Sequence, residues 1–198
     1  VAKLIVHDTH YAGQSSAEKR AAVAEWLTTH SLDSTVISAL DSVAWLLNIR
    51  GADVANTPVA LSFVLAHADG TADLFVAPEK MDDAVRAHLG NAVRLRDPSE
   101  FVPELRSMNG KRIAVDPDRA VAAIFTALEA AGAKIERHRD PAVLPKAINA
   151  IPLRIILFYV VSLACIIAVT SWQQDEAANA GRLDAALRRR LENKTARR

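Results

Sequence analysis

The sequence predicts an α/β domain with a mixed sheet flanked by helices, followed by an apolar helix and a polar helical tail. Three observations carry this reading. Short β-branched and apolar runs alternate with segments of helical periodicity up to about residue 140. Asp69-Gly70 joins two such runs as a hairpin, which makes one pairing antiparallel, while the later crossovers suit parallel pairing. Residues 155–174 form an uncharged stretch unlike anything before it. The 198 residues leave room for one well-packed domain, not for two of the usual ~100–150 residues each. With 51% hydrophobic and 24% charged residues, whole-chain disorder is excluded. Lys and Arg number 24 against 23 Asp and Glu, so no global charge argues for nucleic acid. One cysteine excludes an internal disulfide framework and a multi-cysteine zinc site.

The elements follow in order. Ser15 and Glu18 have the spacing of a capping box, opening a helix through Lys19, Arg20, Val23, Trp26 and Leu27. Ser31 to Ser34 ends it. Thr35 to Ser38 reads as a strand. Leu40 to Ser42 is a turn or short helical start. Val43 to Ile49 is nearly continuous apolar and suits a strand covered on both faces. Gly51 to Pro58 is loop, and Val59 to His67 reads as a strand. Ala72 to Val76 returns antiparallel after the hairpin. Pro78 can occupy an early helical position, Met81, Val85 and Leu89 share one face, and Gly90 is a stop. Ala92 to Leu95 is a short strand and Ser99 to Leu105 a helix or turn. Lys111 to Val115 is a strand. Asp116-Pro117 reads as the cap and first turn of a helix whose face is Val121, Ile124, Phe125 and Leu128, ending at Gly132. Ala133 to Arg137 is the last expected strand.

Few residues suggest chemistry. His7 and His10 are three apart, with no further metal ligands indicated nearby. His30, His67, His88 and His138 are scattered over element ends and a loop. Ser42 and Ser62 lack a nucleophile elbow. Asp82 and Asp83 sit where a helix N-terminus favours carboxylates. Cys165 lies in the apolar run, a setting that raises a thiol pKa. The segment from Asn48 to Asp53 stands out, because it closes a buried run and opens a loop, where binding residues commonly sit on α/β sheets. Its candidates are Asn48, Arg50 and Asp53. The plainer reading is that Arg50 pairs with Asp53 or Asp41 to fix the turn. Trp45 reads as core.

The block from Ala39 to Pro58, ALDSVAWLLNIRGADVANTP, resembles a signature of Xaa-Pro aminopeptidases (aminopeptidase P), in their creatinase-type N-terminal half. The similarity runs through PVALSFVLAHADGTADLFVAPEKM, VRAHLGNAVRLRDPSEF and IFTALEAAGA to DPAVLPKA, so it covers about residues 11–147. The resemblance implies the second, non-catalytic domain of a three-domain metallopeptidase. Its catalytic domain uses two metal ions, usually manganese, held beyond the point where the resemblance stops. On this reading the chain is truncated before that domain, no residue here is a metal ligand or catalytic group, and no activity is expected from the chain alone. The loop at Asn48, Arg50 and Asp53 is expected to face the substrate cleft. A protein partner or a second copy is the expected macromolecular contact.

The segment 153–174 is expected to form an apolar helix, with 155–172 long enough at 1.5 Å per residue to span a membrane. Residues 175–198 read as a polar basic tail, with Leu183, Leu187 and Leu191 on one helical face. No secretory signal profile precedes the domain. The α/β domain is therefore expected in the cytoplasm, with membrane association only through the C-terminal helix. An interaction module tethered in that way is the competing reading, and a remnant without retained function is a third.

Overall fold

A computed structural model describes residues 2–142, 155–167, 176 and 179–189. The chain divides into two compact units, Val1–Val143 and Leu144–Arg198. The first begins with β1 (Ile5–Val6), α1 (Thr9–Ala12), α2 (Ser16–Thr29), β2 (Ser34–Ile37), α3 (Leu40–Leu47) and β3 (Ile49–Arg50). It continues with β4 (Phe63–His67), β5 (Ala72–Phe75), α4 (Asp83–Leu89), β6 (Val93–Arg96), α5 (Phe101–Arg106), β7 (Arg112–Val115), α6 (Ala122–Ala131) and β8 (Lys134–Arg137). Single 3-10 turns at Pro78–Lys80 and Pro98–Glu100 lead toward α4 and α5.

Six strands form one sheet in the order β6-β5-β4-β2-β7-β8. Strand β4 runs antiparallel to both neighbours, β2 and β5, and every other pairing is parallel. The reversal comes from the expected hairpin, where Gly70 adopts φ 83° and donates its N–H to the His67 carbonyl at 3.1 Å. Each face of the sheet carries its own core. Val23, Leu27, Leu46, Leu47, Val85 and Leu89 cover Ile37, Val64 and Leu74. On the other face Phe101, Leu105, Ile124 and Leu128 cover Val36, Leu65, Phe75, Ile113 and Val115. Burying one such side chain fully is worth about 1.5–3 kcal/mol, which makes these two layers the main source of stability.

Three expectations change. Val43 to Ile49 is not a strand: Leu40–Leu47 is helix α3, and only Ile49–Arg50 is extended. An apolar run of this length has no periodicity to separate a buried strand from a helix enclosed on most sides. Asp116 does not cap α6. Its Oδ1 accepts the Asp118 N–H at 2.9 Å in a local turn, and the helix starts after Val121, which offers no side-chain cap. The strand expected from Val59 begins only at Phe63, because Val59 and Ala60 belong to a loop packed against Gly51. At α4 the cap is Asp82, whose Oδ1 accepts the Val85 N–H at 2.9 Å.

In the second unit, residues 155–167 and 179–189 are helical. Cys165 is exposed rather than enclosed in apolar surroundings. No helix among the described residues is long and apolar enough to cross a membrane. Parts of the expected apolar helix, 153–154 and 168–174, lie outside the described residues, as do 175, 177–178 and 190–198 of the tail.

Candidate functional site

Helix α3 stops because Asn48 turns into the left-handed region, φ 51° and ψ 45°, which Asn tolerates better than most side chains. Its N–H closes the helix on the Ala44 and Trp45 carbonyls. The side chain is 1% exposed and fully engaged. Nδ2 donates to the Gln14 carbonyl at 2.8 Å, and Oδ1 accepts from Lys19 Nζ at 2.6 Å. Lys19, on α2, is itself 2% exposed. Its ammonium also donates to the Trp45 carbonyl at 3.0 Å and lies 4.6 Å from the Trp45 ring centroid. Burial pushes the Lys19 pKa down, and the Arg50 guanidinium pushes it the same way.

The chain then runs into β3, which pairs antiparallel with β1: Ile5 faces Arg50 and Val6 faces Ile49. The next residue, His7, donates its N–H to the Asn48 carbonyl at 2.8 Å. Arg50 folds back onto the end of α3. Its Nη1 donates to the carbonyls of Ala44 at 3.0 Å and Ile49 at 2.9 Å. A cation is well placed there, because the last carbonyls of a helix lack intrahelical partners and carry partial negative charge. Arg50 therefore pairs with neither Asp53 nor Asp41. Asp41 meets Arg119 at 3.2 Å, and Asp53 Oδ2 accepts from Lys80 Nζ and from the Leu61 N–H. Burial would raise the Asp53 carboxyl, but these two hydrogen bonds hold it below its ordinary value.

The three candidates thus sit on one segment with different surroundings. Asn48 is interior, Arg50 half-buried, and Asp53 tied down across its loop. The loop is tight at its root, where a Cβ on Gly51 would stand 2.7 Å from the Ala60 Cβ. Lys19 and Lys80 are the partners that sequence reasoning did not supply. No group of three or more His, Cys, Asp or Glu among the described residues could hold a metal ion.

A second polar cluster crosses four strands on the face that carries α5 and α6. Ser34 Oγ lies 2.8 Å from His67 Nδ1, and His67 Nε2 lies 2.9 Å from Asp73 Oδ2. Arg94 donates Nε to Asp73 Oδ1 at 2.7 Å and Nη2 to Oδ2 at 2.9 Å. Ser34, His67 and Arg94 line an open cavity of about 650 Å³. The order serine, histidine, aspartate is that of an activated nucleophile. Here Ser34 is only 4% exposed and Arg94 neutralises both Asp73 oxygens, so the row ties β2, β4, β5 and β6 together. Asp73, an acid inside the otherwise apolar buried strand β5, is the residue that sequence could have marked, whereas Arg94 fits the regular alternation of β6.

A six-stranded mixed sheet with this order and an anchored loop after α3 defines the class. The chain belongs to the creatinase/prolidase N-terminal domain family, which matches residues 1–150. It is 34% identical over 161 residues to a probable Xaa-Pro aminopeptidase P of Coccidioides posadasii, covering 76% of this chain and 26% of that protein. It is 36% identical over 114 residues to Xaa-Pro aminopeptidase 1 of Dictyostelium discoideum, covering 57% and 18%. Among solved structures it resembles the X-prolyl aminopeptidase of Caenorhabditis elegans with a TM-score of 0.62 and 24% identity, covering 70% of this chain and 24% of that one. That protein is described as a cytosolic enzyme with a di-nuclear active site. The chain spans about a quarter or less of the length of these relatives.

Proposed function

We propose that this domain forms one wall of the substrate cleft of an Xaa-Pro aminopeptidase-like metallopeptidase, working in the cytoplasm on peptides with proline in second position. The metal ions and the chemical step belong to another part of such an enzyme, and no residue of this chain has a catalytic role. The observation that carries the reading is the state of Arg50. One guanidinium nitrogen is fixed on the Ala44 and Ile49 carbonyls, while Nε and Nη2 have no hydrogen-bond partner among the described residues. An anchored, half-buried arginine with free donors is built to receive peptide carbonyl or carboxylate oxygens. Asp53 is committed to Lys80 and Leu61, so its role is to hold the loop rather than to meet a peptide ammonium. Asn48 sets the corner from which the loop departs. Other surfaces of the domain remain for a protein partner or a second copy.

The test is a chimera in which residues 1–142 of this chain replace the matching domain of the Coccidioides posadasii relative. With manganese and an Xaa-Pro tripeptide, Arg50→Ala should raise KM about tenfold, the loss of one charged hydrogen bond, with kcat nearly unchanged. An unchanged KM would refute the cleft role. This chain alone should leave the same peptide intact with manganese, and cleavage that survives repurification would overturn the non-catalytic assignment.

A further inference from the structure

The corner where β1 meets β3 holds two cations, neither in an ion pair with a carboxylate among the described residues. Lys19 Nζ donates only to neutral oxygens, Asn48 Oδ1 and the Trp45 carbonyl. Arg50 does the same, on Ala44 and Ile49. Neither forms an ion pair among the described residues, although buried charge is ordinarily paired. Asp8, the acid on this segment, turns its Oδ1 to the His10 N–H at 2.7 Å and forms no ion pair with Lys19 or Arg50 among the described residues, although its charge still acts on the His7 ring. His7 stands beside Arg50, because the β1–β3 ladder and the bond from the His7 N–H to the Asn48 carbonyl bring it there. Its ring is half-buried and stacked 6.1 Å from Tyr11. Desolvation, then Arg50, then Lys19 push the His7 pKa down, against a smaller opposing effect of Asp8. The corner therefore gathers positive charge from Arg50 and Lys19 beside a half-buried ring, and Arg50 Nε and Nη2 have no hydrogen-bond partner among the described residues.

We propose that Arg50 and His7 form a binding site for a small oxyanion, with the buried Lys19 ammonium supplying unpaired positive charge behind it. A carboxylate matches this chemistry, since the Nε and Nη2 edge of a guanidinium presents two parallel donors to two oxygens. The site deepens the cleft reading, and it rests on that reading only for the source of the anion. In a peptide cleft the oxyanion is the terminal carboxylate of a short substrate, which orients the peptide with its downstream end toward Arg50.

Titration calorimetry on the full chain tests this with three probes: Gly-Pro-Gly with a free C-terminus, the same peptide as its C-terminal amide, and inorganic phosphate. The free acid should bind at least tenfold more tightly than the amide. Arg50→Gln should abolish the difference, and Arg50→Lys, which keeps the charge but loses the fork, should retain part of it. In parallel, the His7 ring followed by NMR should titrate at higher pH when the anion is bound, because a nearby negative charge favours imidazolium. Circular dichroism checks that each variant is folded. Binding of phosphate without the free-acid peptide supports the oxyanion site but removes the peptide as its source, and so counts against the cleft reading. Absence of binding by every probe, or equal binding by folded Arg50→Gln, overturns the site. The KM effect in the chimera would still stand in that case, which separates the two failures.

Discussion

Replacing Asn48 tests whether the corner is held as described. Asn48→Ala removes the acceptor of the Lys19 ammonium, a hydrogen bond to a charged group worth about 1.5–3 kcal/mol. It also forces a residue with a Cβ and no local hydrogen-bonding side chain to hold φ 51°, at about 1 kcal/mol. Loss of the bond to Gln14 adds little, because Gln14 is exposed and water can replace the donor. The sum is about 2.5–4 kcal/mol, a large part of the 5–15 kcal/mol typical of a domain. Asn48→Gly loses the same hydrogen bond but accepts the left-handed conformation freely, so it should recover about 1 kcal/mol. Asn48→Asp keeps an acceptor and gives Lys19 a counter-charge, so it should fall nearest the parent chain. Urea denaturation followed by fluorescence and far-ultraviolet circular dichroism gives the differences as midpoint shifts at constant m. A cost below about 1 kcal/mol for Asn48→Ala, or Asn48→Gly no better than Asn48→Ala, would refute the reasoning.

Gly51→Ala should destabilise the domain by about 1–3 kcal/mol, because the new methyl would meet the Ala60 Cβ at 2.7 Å and the loop root must open. A thermal midpoint within 1–2 °C of the parent would show that the loop gives way freely. Asp73 gives a prediction about pH. Burial alone would raise its carboxyl, but hydrogen bonds from His67 and Arg94 hold it below the ordinary carboxylate value. A depressed folded-state pKa contributes stability that is present above the unfolded value of about 3.9 and is lost as pH falls through the folded one. Asp73→Asn should therefore lower the urea midpoint at pH 7 and flatten its decline between about pH 4 and 2. The cost is moderated because Arg94 is largely solvated. Parallel acid limbs in the two proteins would rule out this linkage.

Much of this fold was legible from local chemistry. The Ser15–Glu18 capping box forms as read, with the Glu18 N–H on Ser15 Oγ at 3.2 Å and the Ser15 N–H on Glu18 Oε2 at 2.7 Å. The Asp69-Gly70 hairpin sets the one antiparallel strand of the main sheet. Helix α3 was hidden because its apolar residues are enclosed nearly all round, and its stop signal is an asparagine rather than a glycine or proline. The candidate segment was found, but its contacts were not. Neighbours in sequence, Asp41 and Asp53, were natural partners for Arg50, whereas their actual cations come from 78 and 27 residues away. Lys19 was hidden more deeply. A lysine one residue after a capping box reads as a solvent-facing helix residue, and only the fold buries it against Asn48. Strand β1, at two residues, is too short for any pattern to announce.

The order of the main sheet leaves β6 and β8 as its two rims. On β6, Arg94 and Arg96 project beside Val93 and Leu95, and β8 reads Lys-Ile-Glu-Arg. A second chain adding a strand at either rim would have to bring its own backbone against these charges, which disfavours edge-to-edge growth. Both rims of this open sheet are thus charged rather than flat and apolar. Approach over a face or across an end of the strands meets no such row of charges along a strand edge.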